Sequence, residues 1–463
     1  EDKVLDVEDK VLDVEEKIEK KMETVQEWKK LNEQFPIWTK DPTELKDEDY
    51  SMFYKNMSGS FENPLFYKHF KVEGNVEFKS ILFVPEKSQM DMFQTRDNDK
   101  NNSIKLYVNR VFIMDNCEKL LPDYLKFLKG VVDSEDLNLN VSREILQETK
   151  VMKLIKRTLT KKAISMFEEI SKDKDKFNKF YESYNKFIKL GVHEDSKNRD
   201  RLSKLLRFQH SNMKEELIGL EEYVSNMKEG QDKIYYISGE SIEIVDNSPF
   251  VEKLKALGYD VLYFVDVIDE YMTQHLDTFN DKKLVNITKD NLDIDDKEET
   301  KTLEKDHEEL CKWMGEILNE SIEKVKISTR LNESPCVLVS SQHGWSSNME
   351  RIMKSQALRD NKMDNFMLSK KILEINPKHK IIKTLKDKIK DTSSKNITWL
   401  LYETALINSG FSLKKPRDYA DRIHRMIEVG FCPDEEKEDD EDELPELDVI
   451  DEDELDNDME KVD

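Results

Sequence analysis

The stretch from Ile234 to Val265 admits few folds. Ile234–Ile237 is β-branched and aromatic and reads as a strand. Ser248 follows as an N-cap with Pro249 at the first helical position. The helix runs to Leu257 and stops at Gly258, the residue type that takes the left-handed C-terminal conformation most readily. Val261–Val265 is the next strand. A strand, a helix and a strand in this order imply a right-handed parallel unit. The intervening Ser238–Ser241 loop has one glycine and no GxGxxG, so it reads as a plain turn rather than a phosphate cradle.

The same reading extends outward to an α+β and α/β multidomain chain. Val76–Val84 and Ile104–Met114 read as strands, separated by a polar loop, Thr95–Ser103. Leu120–Gly130 and Ser142–Ile170 read as helices, with Ser142 as an N-cap. Beyond the acidic stretch Asp290–Glu309 the pattern becomes mostly helical. Leu310–Leu318 is amphipathic, Lys324–Thr329 and Cys336–Ser340 are short strands, and Met349–Leu358 is a helix. Ile397–Asn408 and Tyr419–Val429 form a helical pair joined through Gly410–Pro416, and their apolar residues suit a bundle within one chain or across a two-fold axis. Near the start, DKVLDVE occurs at Asp2–Glu8 and again at Asp9–Glu15. Its apolar spacing suits a partner-binding helix or a charged, partly helical linker.

At 463 residues the length suggests roughly three domains. No apolar run approaches the ~20 residues of a membrane span, and no signal peptide opens the chain. Cys117, Cys311, Cys336 and Cys432 form no CxxC pair and read as free thiols. The net charge is −25, which argues against nucleic acid as a partner. Residues 433–463 hold 19 acidic and 2 basic side chains, a net of −17. That composition reads as a disordered acidic tail.

No P-loop, HExxH, GxSxG or His/Cys ligand cluster is present. His193 lies beside Glu194 and Asp195 and reads as a helix-edge histidine rather than a metal ligand. Three features remain. Arg143 and Gln147 stand four apart on one helix face, where the arginine could clamp a phosphate or simply face solvent. Trp345, Met349 and Met353 form an i, i+4, i+8 stripe, either core packing or a soft, adaptable contact surface. Met459-Glu460-Lys461-Val462-Asp463 suits capture by a carboxylate-binding pocket, or is merely a soluble tail.

Several long motifs in order resemble the ninety-kilodalton heat-shock chaperones from about Trp28 to Cys432. They are FYKHFKVEG (Phe66–Gly74), KGVVDSEDLNLNVSREILQ (Lys129–Gln147), KLGVHED (Lys189–Asp195), YYISGES (Tyr235–Ser241), GWSSNMERIMKSQALRD (Gly344–Asp360) and LLYETALINSGFSL (Leu400–Leu413). The resemblance implies a charged linker over 1–27 and a middle domain of two α/β sandwiches joined by helices over 28–290. It implies a mostly helical dimerisation domain over 291–432 and an acidic tail over 433–463. It further implies that the chain begins in the linker without its ATP-binding domain, so that ATP with magnesium belongs to the full-length protein and this chain alone holds none.

On the same resemblance, Arg143 activates ATP bound by that other domain, with Asn140 and Gln147 beside it, and Phe112 packs on the domain near the Met90–Phe93 loop. Trp345, Met349, Met353 and Phe61 contact unfolded client proteins from an exposed surface. Leu400, Leu401, Ile423 and Ile427 build a homodimer. Met459, Glu460, Val462 and Asp463 engage tetratricopeptide-repeat co-chaperones, with Lys461 a departure from the family's glutamate. Asn109 is a second departure, where relatives often carry arginine. The implied function is ATP-dependent folding of client proteins in the cytoplasm, with ATP-independent holding or co-chaperone scaffolding as the alternative for this chain alone.

Overall fold

The computed structural model describes residues 36–87, 104–115, 117–137, 150–290, 292, 297–328, 330–342, 344–355, 371–389 and 391–431. The chain divides into two compact units, the first comprising 1–85, 101–117 and 128–151 and the second the remainder.

In the first unit, helix α1 (Asp47–Ser58) precedes strands β1 (Pro64–Val72), β2 (Phe78–Pro85), β3 (Ile104–Val108), β4 (Val111–Met114) and β5 (Lys129–Ser134). The sheet order is β1-β2-β5-β3-β4, with β3 parallel to β5 and every other pair antiparallel. The alternating side chains of β2 and β5 bury Ile81, Phe83 and Val131 against Ile37, Trp38, Tyr50 and Tyr54. Gly130 fits the central strand because a Cβ there would lie 2.2 Å from the Ile81 carbonyl oxygen.

Two sequence expectations change here. Ile104–Met114 is a hairpin rather than one strand, because Asn109 and Arg110 both adopt positive φ, 51° and 64°. That is the twist a tight turn between right-twisted strands requires, and asparagine tolerates it well. The expected helix Leu120–Gly130 is instead two short 3₁₀ turns, Glu118–Leu120 and Asp123–Leu125, before β5. Pro122 interrupts the run, and the sheet claims Lys129 and Gly130.

Helix α2 (Lys150–Ile170), which lies in the second unit from Met152 onward, is followed there by α3 (Lys174–Glu194). They pack aromatic stripes together, with the rings of Phe167 and Phe180 centred 4.9 Å apart. Next come α4 (Arg199–Ser203), β6 (Arg207–His210), β7 (Ile218–Gly219), α5 (Leu220–Ser225), β8 (Lys233–Ser238), α6 (Ile242–Asp246), α7 (Glu252–Leu257), β9 (Leu262–Phe264), α8 (Val267–Met272), β10 (Thr278–Phe279) and β11 (Lys282–Asn286). They form a sheet of order β10-β11-β8-β9-β6-β7. Strands β8 and β9 are parallel, as the strand–helix–strand pattern predicts. A 3₁₀ turn at Pro249–Val251 leads into α7, which Gly258 ends at φ +71°.

The chain continues through α9 (Lys297–Asp306), α10 (Glu308–Ile317), β12 (Ile322–Ile327), β13 (Cys336–Val339), α11 (Ser347–Ser355), β14 (Lys371–Ile375), α12 (Lys380–Asp387), α13 (Thr392–Asn408) and α14 (Pro416–Phe431). Strands β12, β14 and β13 make a three-stranded sheet in that order. Val337, Val339 and Ile372 share a core with Tyr235, Ile237, Val285 and Ile287 of the six-stranded sheet. Polar bonds reinforce the junction. The Glu252 carboxylate accepts the backbone N–H groups of Asn332, Glu333 and Ser334. Arg330, 1% exposed, donates to the Ile287 and Lys289 carbonyls and to Glu374 Oε1, the last two at 3.0 Å, while its Nε lies 2.9 Å from Glu374 Oε2.

Removing one member of a buried pair strands the other charge, at about 3–5 kcal/mol. Arg330→Met is therefore expected to lower unfolding free energy by that amount in urea titrations, and Arg330→Met with Glu374→Leu is expected to restore most of it. Equal losses in the single and double variants would contradict the pairing.

Candidate functional site

The most organised polar constellation surrounds α8. Its first turn is a capping box made by Asp266 and Asp269. Lys189 of α3 reaches both carboxylates, at 2.5 Å to Asp266 and 2.8 Å to Asp269. Burial opposes the lysine's charge, but Asp269, Tyr181 and Asp266 outweigh it and hold the Lys189 pKa above its ordinary value. Nearby His193 Nδ1 is 2.8 Å from the Tyr271 carbonyl oxygen, so this ring is fixed by the backbone.

The next residue of α8, Glu270, is 8% exposed and aims at α11. Its Oε1 accepts a 2.7 Å hydrogen bond from Ser346 Oγ and a 3.2 Å bond from Asn348 Nδ2. Ser346 Oγ in turn accepts the Met349 N–H at 3.1 Å. One carboxylate thus fixes the first turn of α11, whose N–H groups have no partner within the helix. Lys354, at 2.5 Å, and Lys371, at 3.3 Å, ion-pair with Glu350 on the same helix. Burial resists ionisation of Glu350, but these two lysines outweigh it and hold the carboxyl below its ordinary range.

α11 is therefore clamped to α8 on one side and to β14 on the other. Trp345, two residues before α11, and Met353 on it are partly exposed. Met349, expected on an exposed face, is only 7% exposed, because the 3.6-residue turn carries it inward with Ile352.

The other predicted positions are dispersed. Phe61, 97% exposed, stands between α1 and β1 of the first unit. Phe112 is exposed on edge strand β4, its ring edge-on to Tyr107 with centroids 5.6 Å apart. Leu401 is buried in the core under β13 and β14, whereas Leu400 and Ile423 are partly buried and Ile427 is exposed. Asn140, Arg143, Gln147, the Met90–Phe93 loop, Met459, Glu460, Lys461, Val462 and Asp463 lie outside the described residues. Among the described residues no group of three or more His, Cys, Asp or Glu side chains could hold a metal ion. No helix among them is long and apolar enough to cross a membrane. Sequence reasoning missed Glu270, because a buried glutamate looks like any other until its partners are placed.

The chain matches the family described as Hsp90 protein over residues 1–460. It is 46% identical over 424 residues to heat shock protein 83 of Leishmania donovani, which covers 90% of this chain and 93% of that relative. It is 43% identical over 438 residues to an endoplasmin homolog of Arabidopsis thaliana and 41% identical over 449 residues to one of Hordeum vulgare, covering 88% and 90% of this chain. The chain spans about half the length of these two relatives, 53% and 56%.

Glu270→Ala is expected to leave Ser346 and Asn348 without their acceptor, a loss of about 1–3 kcal/mol, and to speed amide exchange across 346–355. Glu270→Gln keeps an accepting oxygen and should exchange nearly as the parent does. Hydrogen-exchange mass spectrometry of the three proteins checks this, and parental protection in the alanine variant would refute the clamp.

Proposed function

The chain belongs to the Hsp90 protein family, a family of chaperones, and on that premise we propose that its described part holds partly folded polypeptides on soft apolar surface within an ATP-dependent cycle. The observation that carries this reading is α11. Its backbone is pinned through Glu270 and Glu350, while Trp345 and Met353 remain partly exposed. A rigid mount with a polarizable thioether and a large ring can contact many unrelated sequences without unfolding itself. Phe61, with 97% of its surface accessible, offers a second apolar contact on the other unit.

ATP dependence belongs to the same proposal. An arginine offered to nucleotide in another domain stabilises charge on the transferred phosphate, and Arg143, with Asn140 and Gln147, is the residue assigned that part. Phe112 and Val111, both exposed on edge strand β4, supply an apolar surface on which such a domain could pack. Self-association through α13 and α14 is supported by the exposed side chains Ile397, Ile407, Met426 and Ile427. Arg422 of α14 is bonded to Glu403 of α13 and lies over the Trp399 ring, 5.5 Å from its centroid, so the pair already packs as one layer.

Replacing Trp345 and Met353 together by serine removes only partly exposed apolar surface. Suppression of aggregation of a thermally unfolded test protein is expected to weaken about fivefold, the scale of ~1 kcal/mol of lost apolar contact. The unfolding midpoint should stay unchanged. Undiminished suppression by this variant would remove α11 from the contact surface.

A further inference from the structure

Helix α2 has an unusual charge pattern for so acidic a chain. Lys150, Lys153, Lys156, Arg157, Lys161 and Lys162 are followed by no acidic residue until Glu168. The inward face is fixed by burial of Met152, Ile155, Leu159, Ala163 and Ile164. The 3.6-residue period then sets Lys153, Arg157 and Lys161 in one line on the opposite face, with Leu154 beside them, and all four are exposed. They form a cationic stripe about 12 Å long with an apolar residue at its flank.

The densest opposite charge in the chain is its own segment 433–463, net −17. Leu444, Leu447, Val449, Ile450 and Leu455 are interspersed among its carboxylates, which suits the cation–leucine composition of the stripe. Thirty-one residues can extend to about 100 Å, and tethering raises the local concentration of such a segment to about the millimolar range. We propose that segment 433–463 docks on the Lys153–Arg157–Lys161 stripe of the same chain. It forms a salt-sensitive internal contact that any other acidic protein surface must displace.

Zero-length carbodiimide coupling of the full chain tests this, because it joins lysine amines only to carboxylates in direct contact, with loss of water. Mass spectrometry should find links from the carboxylates of 433–463 concentrated on Lys153 and Lys161. Their yield should fall about tenfold between ~50 and ~500 mM sodium chloride, as exposed charges become screened, and should not change on dilution. Arg157→Glu, at an exposed position that does not itself couple, should lower these links several-fold with the circular dichroism spectrum unchanged. Should that variant fail to fold, the salt series on the parent chain and Lys161→Glu read at Lys153 carry the test. Links spread over all exposed lysines, concentrated on Lys380 and Lys383, insensitive to salt, or found only between chains of different isotopic label would overturn the proposal.

Discussion

Arg330 and Glu374 are the pair on which the second unit's two sheets depend. A guanidinium that is 1% exposed is tolerable only where nearly every donor has an acceptor. Here the acceptors are the carbonyls of Ile287 and Lys289, just past β11, and the Glu374 carboxylate on β14. Ser328 adds a bond to Glu374 at 3.0 Å. An apolar pair of the same volume could be as stable, but it would not dictate which strand end meets which. The planar five-donor fork makes that choice, and the shared core of Val337, Val339, Ile372, Val285 and Ile287 packs in the arrangement it selects.

The α8–α11 contact repeats this logic on a smaller scale. Within one turn of α8, Asp266 and Asp269 bind Lys189 while Glu270 binds Ser346 and Asn348. Adjacent helical residues point in different directions, about 100° apart, so a six-residue helix can fasten α3 on one side and α11 on another. α11 thereby gains order at its N-terminus from outside itself. Its own sequence supplies only Ser346 as a cap, and the strength of that cap depends on the carboxylate behind it.

What the sequence made legible follows the range of the interactions. The stop at Gly258 and the parallel strands β8 and β9 are written in local side-chain chemistry and backbone freedom, and the structure agrees, whereas Ser248 makes no side-chain capping bond and leads into a 3₁₀ turn before the α-helix begins at Glu252. The turn at Asn109–Arg110 was missed because neither residue is glycine, and the positive φ is held from outside by the Arg110 N–H bond to Asp133 at 3.1 Å. Leu120–Gly130 carries a helical apolar pattern, yet Lys129 and Gly130 pair with Phe83 and Leu82 in the sheet, a partner set far away in sequence. The Trp345-Met349-Met353 spacing was visible, but not that burial would turn Met349 inward. Glu270, Arg330 and Glu374 left no local trace, since a long-range ion pair has no sequence period.

The charges of this chain therefore do two kinds of physical work. Lys189, Arg330 and Glu374 are desolvated and closely paired, so salt reaches them little and their partners are fixed. Lys153, Arg157 and Lys161 are exposed, and attraction between exposed charges is screened over about 8–10 Å at ordinary ionic strength. The first kind holds α8, α11 and the two sheets in one arrangement. The second biases which other charged surface comes near without committing the fold to it. A chain that engages and releases others, as proposed for this one, needs both, because a contact that must be broken cannot be built from charges whose separation would strand them in the core.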